Sequence, residues 1–113
     1  MMGANGNFVI SLDYELMWGV RDVRTEEDYG ENILNVQTAF EKMLELFERF
    51  NIQVTAATVG FLFHKNSKDL LSHLPKKKPN YFDEKCSPYS AMANYLYNSM
   101  DDGLYFNAPL TKI

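Results

Sequence analysis

The sequence predicts an α/β fold built on a strand–helix–strand unit. Two apolar runs rich in β-branched residues predict the strands: FVISL (Phe8 to Leu12) and IQVTAATVGFLF (Ile52 to Phe63). Between them, apolar residues recur every three or four positions, which predicts a long helix. Strand, helix, strand in that order implies a parallel pair joined by a right-handed crossover.

Each element has its own signals. Residues 1–6 hold two glycines and an asparagine and read as a loose start. FVISL reads as a strand buried on both faces, as in parallel sheets. WGVRDVRTEEDYGEN (Trp18 to Asn32) is polar and turn-rich and reads as a loop. From Asn32, the residues Ile33, Val36, Phe40, Met43, Leu44, Phe47 and Phe50 form one face, with Glu41, Glu45, Glu48 and Arg49 on the other. That pattern predicts an amphipathic helix of about five turns, stopped at Asn51. In the second run Ile52, Val54, Thr55, Thr58 and Val59 favour a strand. SKDLLSHL (Ser67 to Leu74) reads as a short helix with Ser67 as N-cap and Pro75 behind it. KKKPNYFDEKC reads as a charged loop. Ser87 and Pro88 then start a helix carrying Ala91, Met92, Tyr95 and Leu96 and ending near Gly103. The tail LYFNAPLTKI reads either as one more short strand or as a frayed end. No repeat or linker interrupts residues 1–113, which read as a single domain.

Composition excludes several classes of function. The chain is 46% hydrophobic, enough for a core. Its net charge of -4 leaves no basic surplus to neutralise phosphates, so nucleic acid is not an expected partner. The basic run Lys76 to Pro79 is too short to alter that and reads as a solvated loop. No apolar stretch reaches the roughly 18 residues of a membrane span, and MMGANGNF has neither part of a signal peptide. A cytoplasmic chain with no membrane partner is the expectation. The single cysteine, Cys86, excludes an intrachain disulfide and a cysteine-rich zinc site. No G-x-G-x-x-G, G-x-x-x-x-G-K-[ST] or G-x-S-x-G pattern occurs.

The chemistry concentrates where the first apolar run ends. Asp13 and Glu15 stand at its carboxyl end, the end at which parallel α/β folds bind ligands. If the strand persists to Glu15, alternation puts both carboxylates on one side and Tyr14 on the other. A metal ion relieves the repulsion of such a pair, and without one the pair suits general-base chemistry. The bland alternative is that Asp13 caps a turn and Glu15 is solvated. Trp18 and Arg21 follow in the loop: a tryptophan stacks on sugar faces and an arginine binds carboxylates or hydroxyls, while a tryptophan that merely pins the loop is an equal reading.

FVISLDYELMWGVRD resembles the first motif of the polysaccharide deacetylase family (NodB-homology domains, family 4 carbohydrate esterases), in the branch with S-L-D-aromatic-E-L followed by W-G. VTAATVGFLF is similar to that family's second strand, where an A-T-aromatic-x-x-G pattern follows the first helix; here Ala57, Thr58 and Gly60 stand in that run. The likeness spans residues 8–63, leaving 88–113 unassigned. It implies a distorted (β/α) barrel, of which this chain supplies the N-terminal βαβ part. It also implies metal-dependent hydrolysis of acetyl groups on N-acetylated sugars, with a glycan as substrate. Asp13 becomes the general base, Glu15 a ligand of a divalent metal, usually zinc, and Trp18 and Arg21 substrate contacts. The family takes two further ligands from an H-[ST]-x-x-x-H pair, which this chain lacks. It has only His64 and His73, nine residues apart and so about 180° apart on a helix. Their simplest reading is a turn residue and an ordinary helix residue. A chain of about 200 residues, with the histidine pair beyond residue 113, is therefore expected for the active domain. The competing expectation is a non-catalytic α/β module that self-associates through exposed apolar faces.

Overall fold

The computed structural model describes residue 3, residues 5–90, residues 92 and 98, and residues 101–107. Two strands, β1 (Ser11–Tyr14) and β2 (Thr55–Thr58), pair in parallel with Ser11 opposite Thr55 and Tyr14 opposite Thr58. Helix α1 (Glu26–Arg49) connects them, giving the expected βαβ order. The ladder continues at both ends: Thr55 N–H donates to Ile10 C=O at 3.0 Å and Val59 N–H to Tyr14 C=O at 3.3 Å.

Both strands sit later or shorter than the apolar runs suggest. Phe8 and Val9 lie outside β1 and are 91% and 74% exposed, so the first run is not buried on both faces. Only Tyr14 of β1 is buried, and its ring lies 4.3 Å from that of Phe40 on α1. The second run is a strand only through Thr58; residues Gly60–Phe63 coil into a 3₁₀ turn whose single buried side chain is Leu62.

Helix α1 begins six residues before Asn32, inside the expected loop. Thr25 is its N-cap in a full capping box: the Thr25 hydroxyl accepts from Asp28 N–H, and the Asp28 carboxylate accepts from Thr25 N–H. Glu26, Glu27 and Asp28 also suit the positive end of the helix dipole. The helix ends as expected. Phe50 is the C-cap, and Asn51 takes the left-handed conformation, φ 51°, that asparagine tolerates. Gly30 and Ile33 are buried, and Leu104 packs on Gly30. The apolar stripe outruns the two-stranded sheet, however, so Phe50 and Met43 are exposed instead of core.

Helix α2 (Ser67–Ser72) is capped one residue earlier than expected. Asn66, not Ser67, accepts from Asp69 N–H at 2.9 Å. Ser87 is buried, and its hydroxyl accepts from Tyr89 and Ser90 N–H, so the Ser87–Pro88 helix start holds and residues 88–90 are helical. Met92 of that helix is buried; Ala91, Tyr95 and Leu96, also expected on it, lie outside the described residues.

The tail through Asn107 is neither strand nor frayed. A 3₁₀ turn, Asp102–Leu104, leads into Tyr105, Phe106 and Asn107, all buried. Gln37 of α1 donates to Gly103 C=O, the Trp18 indole N–H to Tyr105 C=O at 2.9 Å, Asn107 N–H to Leu62 C=O at 2.8 Å, and the Asn107 amide to the Tyr14 hydroxyl at 2.8 Å. These bonds close the core formed by Tyr14, Leu16, Met17, Trp18, Leu62 and Leu70. The remaining tail, from Ala108 on, lies outside the described residues. No helix among the described residues is long and apolar enough to cross a membrane.

Candidate functional site

Asp13 is the third residue of β1, opposite Ala57, at the carboxyl end of the parallel pair. It is exposed and borders a cleft of about 200 Å³ between β1 and α1, lined also by Leu12, Tyr14, Val36, Phe40 and Met43. The strand stops at Tyr14. Glu15 has left the extended conformation (φ −129°, ψ −18°) and begins a 3₁₀ turn, Leu16–Gly19. The alternation that would put both carboxylates on one side therefore does not reach Glu15. Its side chain folds against Gly19 instead, where any Cβ would collide with it. Between them Leu16 holds φ 52°, a left-handed conformation unusual for a bulky residue, of the kind that costs about 1–3 kcal/mol and collects at functional turns.

Trp18 has the loop-pinning arrangement of the two weighed for it. It is 5% exposed, bonded to Tyr105, and in edge contact with Phe61 at 5.1 Å and Tyr105 at 5.3 Å. Arg21 lies over the Trp18 ring, 5.9 Å from its centroid, and donates to Trp18 C=O at 2.8 Å. It also borders a second cleft, of about 220 Å³, with Met17, Arg24, Thr25 and Glu26. Tyr14, beneath the strand end, keeps its proton more firmly than usual: burial raises its pKa above 10.0, with the Asn107 hydrogen bond opposing.

The histidines come together, against the helical-spacing argument. A separation of about 180° holds only for two residues on one helix. His64 instead caps the 3₁₀ turn after β2 in an extended conformation, φ −75° and ψ 153°, and only His73 belongs to α2, as its C-cap. Asn66 and the start of α2 turn the chain back, and the two rings end 5.5 Å apart. Asp69, four residues before His73 and so on the same face, lies between them. Its Oδ2 is 3.2 Å from His64 Nδ1 and its Oδ1 3.3 Å from His73 Nδ1. Lys65 N–H donates to Oδ2 at 3.0 Å. That backbone N–H is the largest cause holding the Asp69 carboxyl below its ordinary value of 3.8; burial opposes it, and His64 and then His73 add to the lowering. The readable signal was the H-x₄-D-x₃-H spacing itself, a turn residue followed by an i, i+4 pair.

Cys86 is exposed, beside Lys85 in the turn Glu84–Cys86. No family model matches the chain, and neither does any curated protein or solved structure.

Proposed function

We propose that the chain acts on N-acetylated glycans as a deacetylase of the polysaccharide deacetylase type, hydrolysing the C–N amide bond with Asp13 as general base. The observation that carries this reading is S-L-D-Y-E-L at the carboxyl end of β1, in parallel register with the A-A-T strand β2 across a right-length helix. An acid at that end faces the space where parallel α/β folds bind substrates. Asp13 takes a proton from the attacking water as its oxygen bonds to the acetyl carbon; the C–N bond then breaks, the proton passes to the departing nitrogen, and acetate and the free sugar amine result. The divalent metal that the reading implies is not satisfied by Asp13 and Glu15 alone. They are two oxygen donors, zinc prefers nitrogen or sulfur among its ligands, and none of the described residues lining the Asp13 cleft is a histidine. Asp13 is accordingly assigned a proton-transfer role and Glu15 that of an acidic support, its side chain lying against Gly19. Arg21, a substrate contact by the resemblance, borders a separate cleft and takes no part in this step.

The test is acetate release from an acetylated chitooligosaccharide in the presence of zinc. Activity that falls about 100-fold or more in Asp13→Asn supports the assignment. No release by the intact chain, or equal release by the variant, refutes it.

A second reading has its own observation. Phe8, Phe50, Ile52, Phe63 and Phe82 are exposed, and each strand of the sheet has one partner among the described residues. Bare edges and apolar surface favour association of chains, with or without catalysis. Light scattering across a dilution series distinguishes a monomer from an oligomer.

A further inference from the structure

We propose that His64, Asp69 and His73 form a binding site for a divalent transition-metal ion of the zinc class, separate from the acids at the end of β1. One nitrogen of each imidazole and one oxygen of the carboxylate lie within 4.8 Å of one another. In a tetrahedral site with bonds of about 2.0–2.2 Å, donors stand about 3.4 Å apart and two imidazole centroids about 5 Å apart. Here His64 Nδ1 is 3.2 Å from Asp69 Oδ2, His73 Nδ1 is 3.3 Å from the other carboxylate oxygen, Oδ1, and the centroids are 5.5 Å apart. The three groups already have nearly the spacing an ion requires.

The framework around the site is fixed at one end and adjustable at the other. Asp69 is held by Lys65 N–H, and its own N–H is held by Asn66, so the carboxylate does not swing freely. Leu70, next to it, is buried in the core and anchors the helix. His73 is the movable ligand, with its side chain 64% exposed, against 25% for His64 and 30% for Asp69. Its Nδ1 now lies 2.8 Å from Asp69 C=O and 3.0 Å from the Ser72 hydroxyl, so a modest turn of an exposed ring presents a nitrogen to the ion. Two imidazoles and a carboxylate suit zinc, copper, nickel or iron and not calcium or magnesium, which take oxygen ligands. Three protein ligands leave a fourth position for water or an external ligand, the open arrangement of catalytic zinc sites. The ion would also cross-link the turn after β2 to the end of α2.

The site does not rest on the deacetylase reading, and the experiment separates the two. Zinc alone is titrated by calorimetry into the chelator-treated chain and into His64→Gln, Asp69→Asn, His73→Gln and Asp13→Asn. Cobalt absorption spectra report the ligand set, and thermal melting confirms that each variant folds. The expectation is one ion per chain and a raised melting temperature on binding. His64→Gln, Asp69→Asn and His73→Gln should each weaken binding about 10–100-fold or more, as large as the loss of an outer supporting partner. Asp13→Asn should bind as the intact chain does. Because His73 is exposed, a folded His73→Gln that binds zinc unchanged overturns the site. So does the absence of saturable binding, equal binding of magnesium, or loss of binding in Asp13→Asn.

Discussion

Leu62 and Phe63 are neighbours in one 3₁₀ turn, and their substitution by alanine should have opposite weight. Leu62 is 0% exposed and Phe63 44% exposed. Removing a fully buried leucine forfeits the transfer energy of its side chain and leaves a cavity, together about 2.7–5 kcal/mol where the surroundings cannot collapse. Collapse is hindered here, because the Leu62 carbonyl is tied to Asn107 N–H and fixes the backbone above the void. Against a total stability of about 5–15 kcal/mol, Leu62→Ala removes a large fraction. At about 4 °C per kcal/mol for a chain of this size, melting should fall by about 10–20 °C. Phe63→Ala loses a larger side chain that is nearly half in water and should cost about 1 kcal/mol or less, with melting lower by about 4 °C at most. Thermal and urea unfolding of both variants measure this. Equal losses, or a larger loss for Phe63→Ala, would refute the arrangement in which this turn aims only Leu62 into the core.

Three other outcomes follow from the same geometry. In a double-mutant cycle, Tyr14→Phe and Asn107→Leu should couple by about 0.5–1.5 kcal/mol, measured by urea unfolding, since both remove one buried hydrogen bond. Gly19→Ala places a methyl group on the Glu15 side chain and should destabilise by about 1–3 kcal/mol by thermal melting, with reduced acetate release if Glu15 supports the reaction. The Asp69 carboxyl has a folded pKa below 3.8, so its contribution to stability is full above that value and is lost as pH falls through the folded one. Melting curves between neutral and strongly acid pH should therefore show a shallower acid limb in Asp69→Asn than in the intact chain.

What the sequence made legible was whatever rests on periodicity. The three- and four-residue spacing of Ile33, Val36 and Phe40 marked α1, Asn51 marked its end, and Ser87–Pro88 marked a helix start. Starts and faces were harder. TEED was read as loop because its acids lack apolar partners, though a capping box needs none. FVISL reads as buried because nothing in four apolar residues and a serine says which of them the partner strand covers. Phe106 and Asn107 looked like a tail because their partners, Gln37, Leu62 and Tyr14, are remote in sequence. At the candidate site, Asp13 stood out by its place at a strand end, whereas the pairing of Asp13 with Glu15 assumed an extended chain one residue too far. The His64, Asp69 and His73 group was missed because phase along one helix was applied to residues that a turn separates.

The buried stretch from Leu104 to Asn107 makes this fold late to close while the chain is being synthesised. The bond between Tyr14 and Asn107 spans 93 residues and that between Trp18 and Tyr105 spans 87. At about 5–20 residues per second, roughly 5–20 s separate the emergence of the two ends of the longer link. From the synthesis of Leu62 until that of Asn107, Tyr14, Trp18 and Leu62 are all made but lack the residues that will cover them. A nascent chain in that state offers apolar surface and open strand edges to its neighbours, so a chaperone that shields residues 14–62 until Asn107 has been released would raise the yield of folded protein.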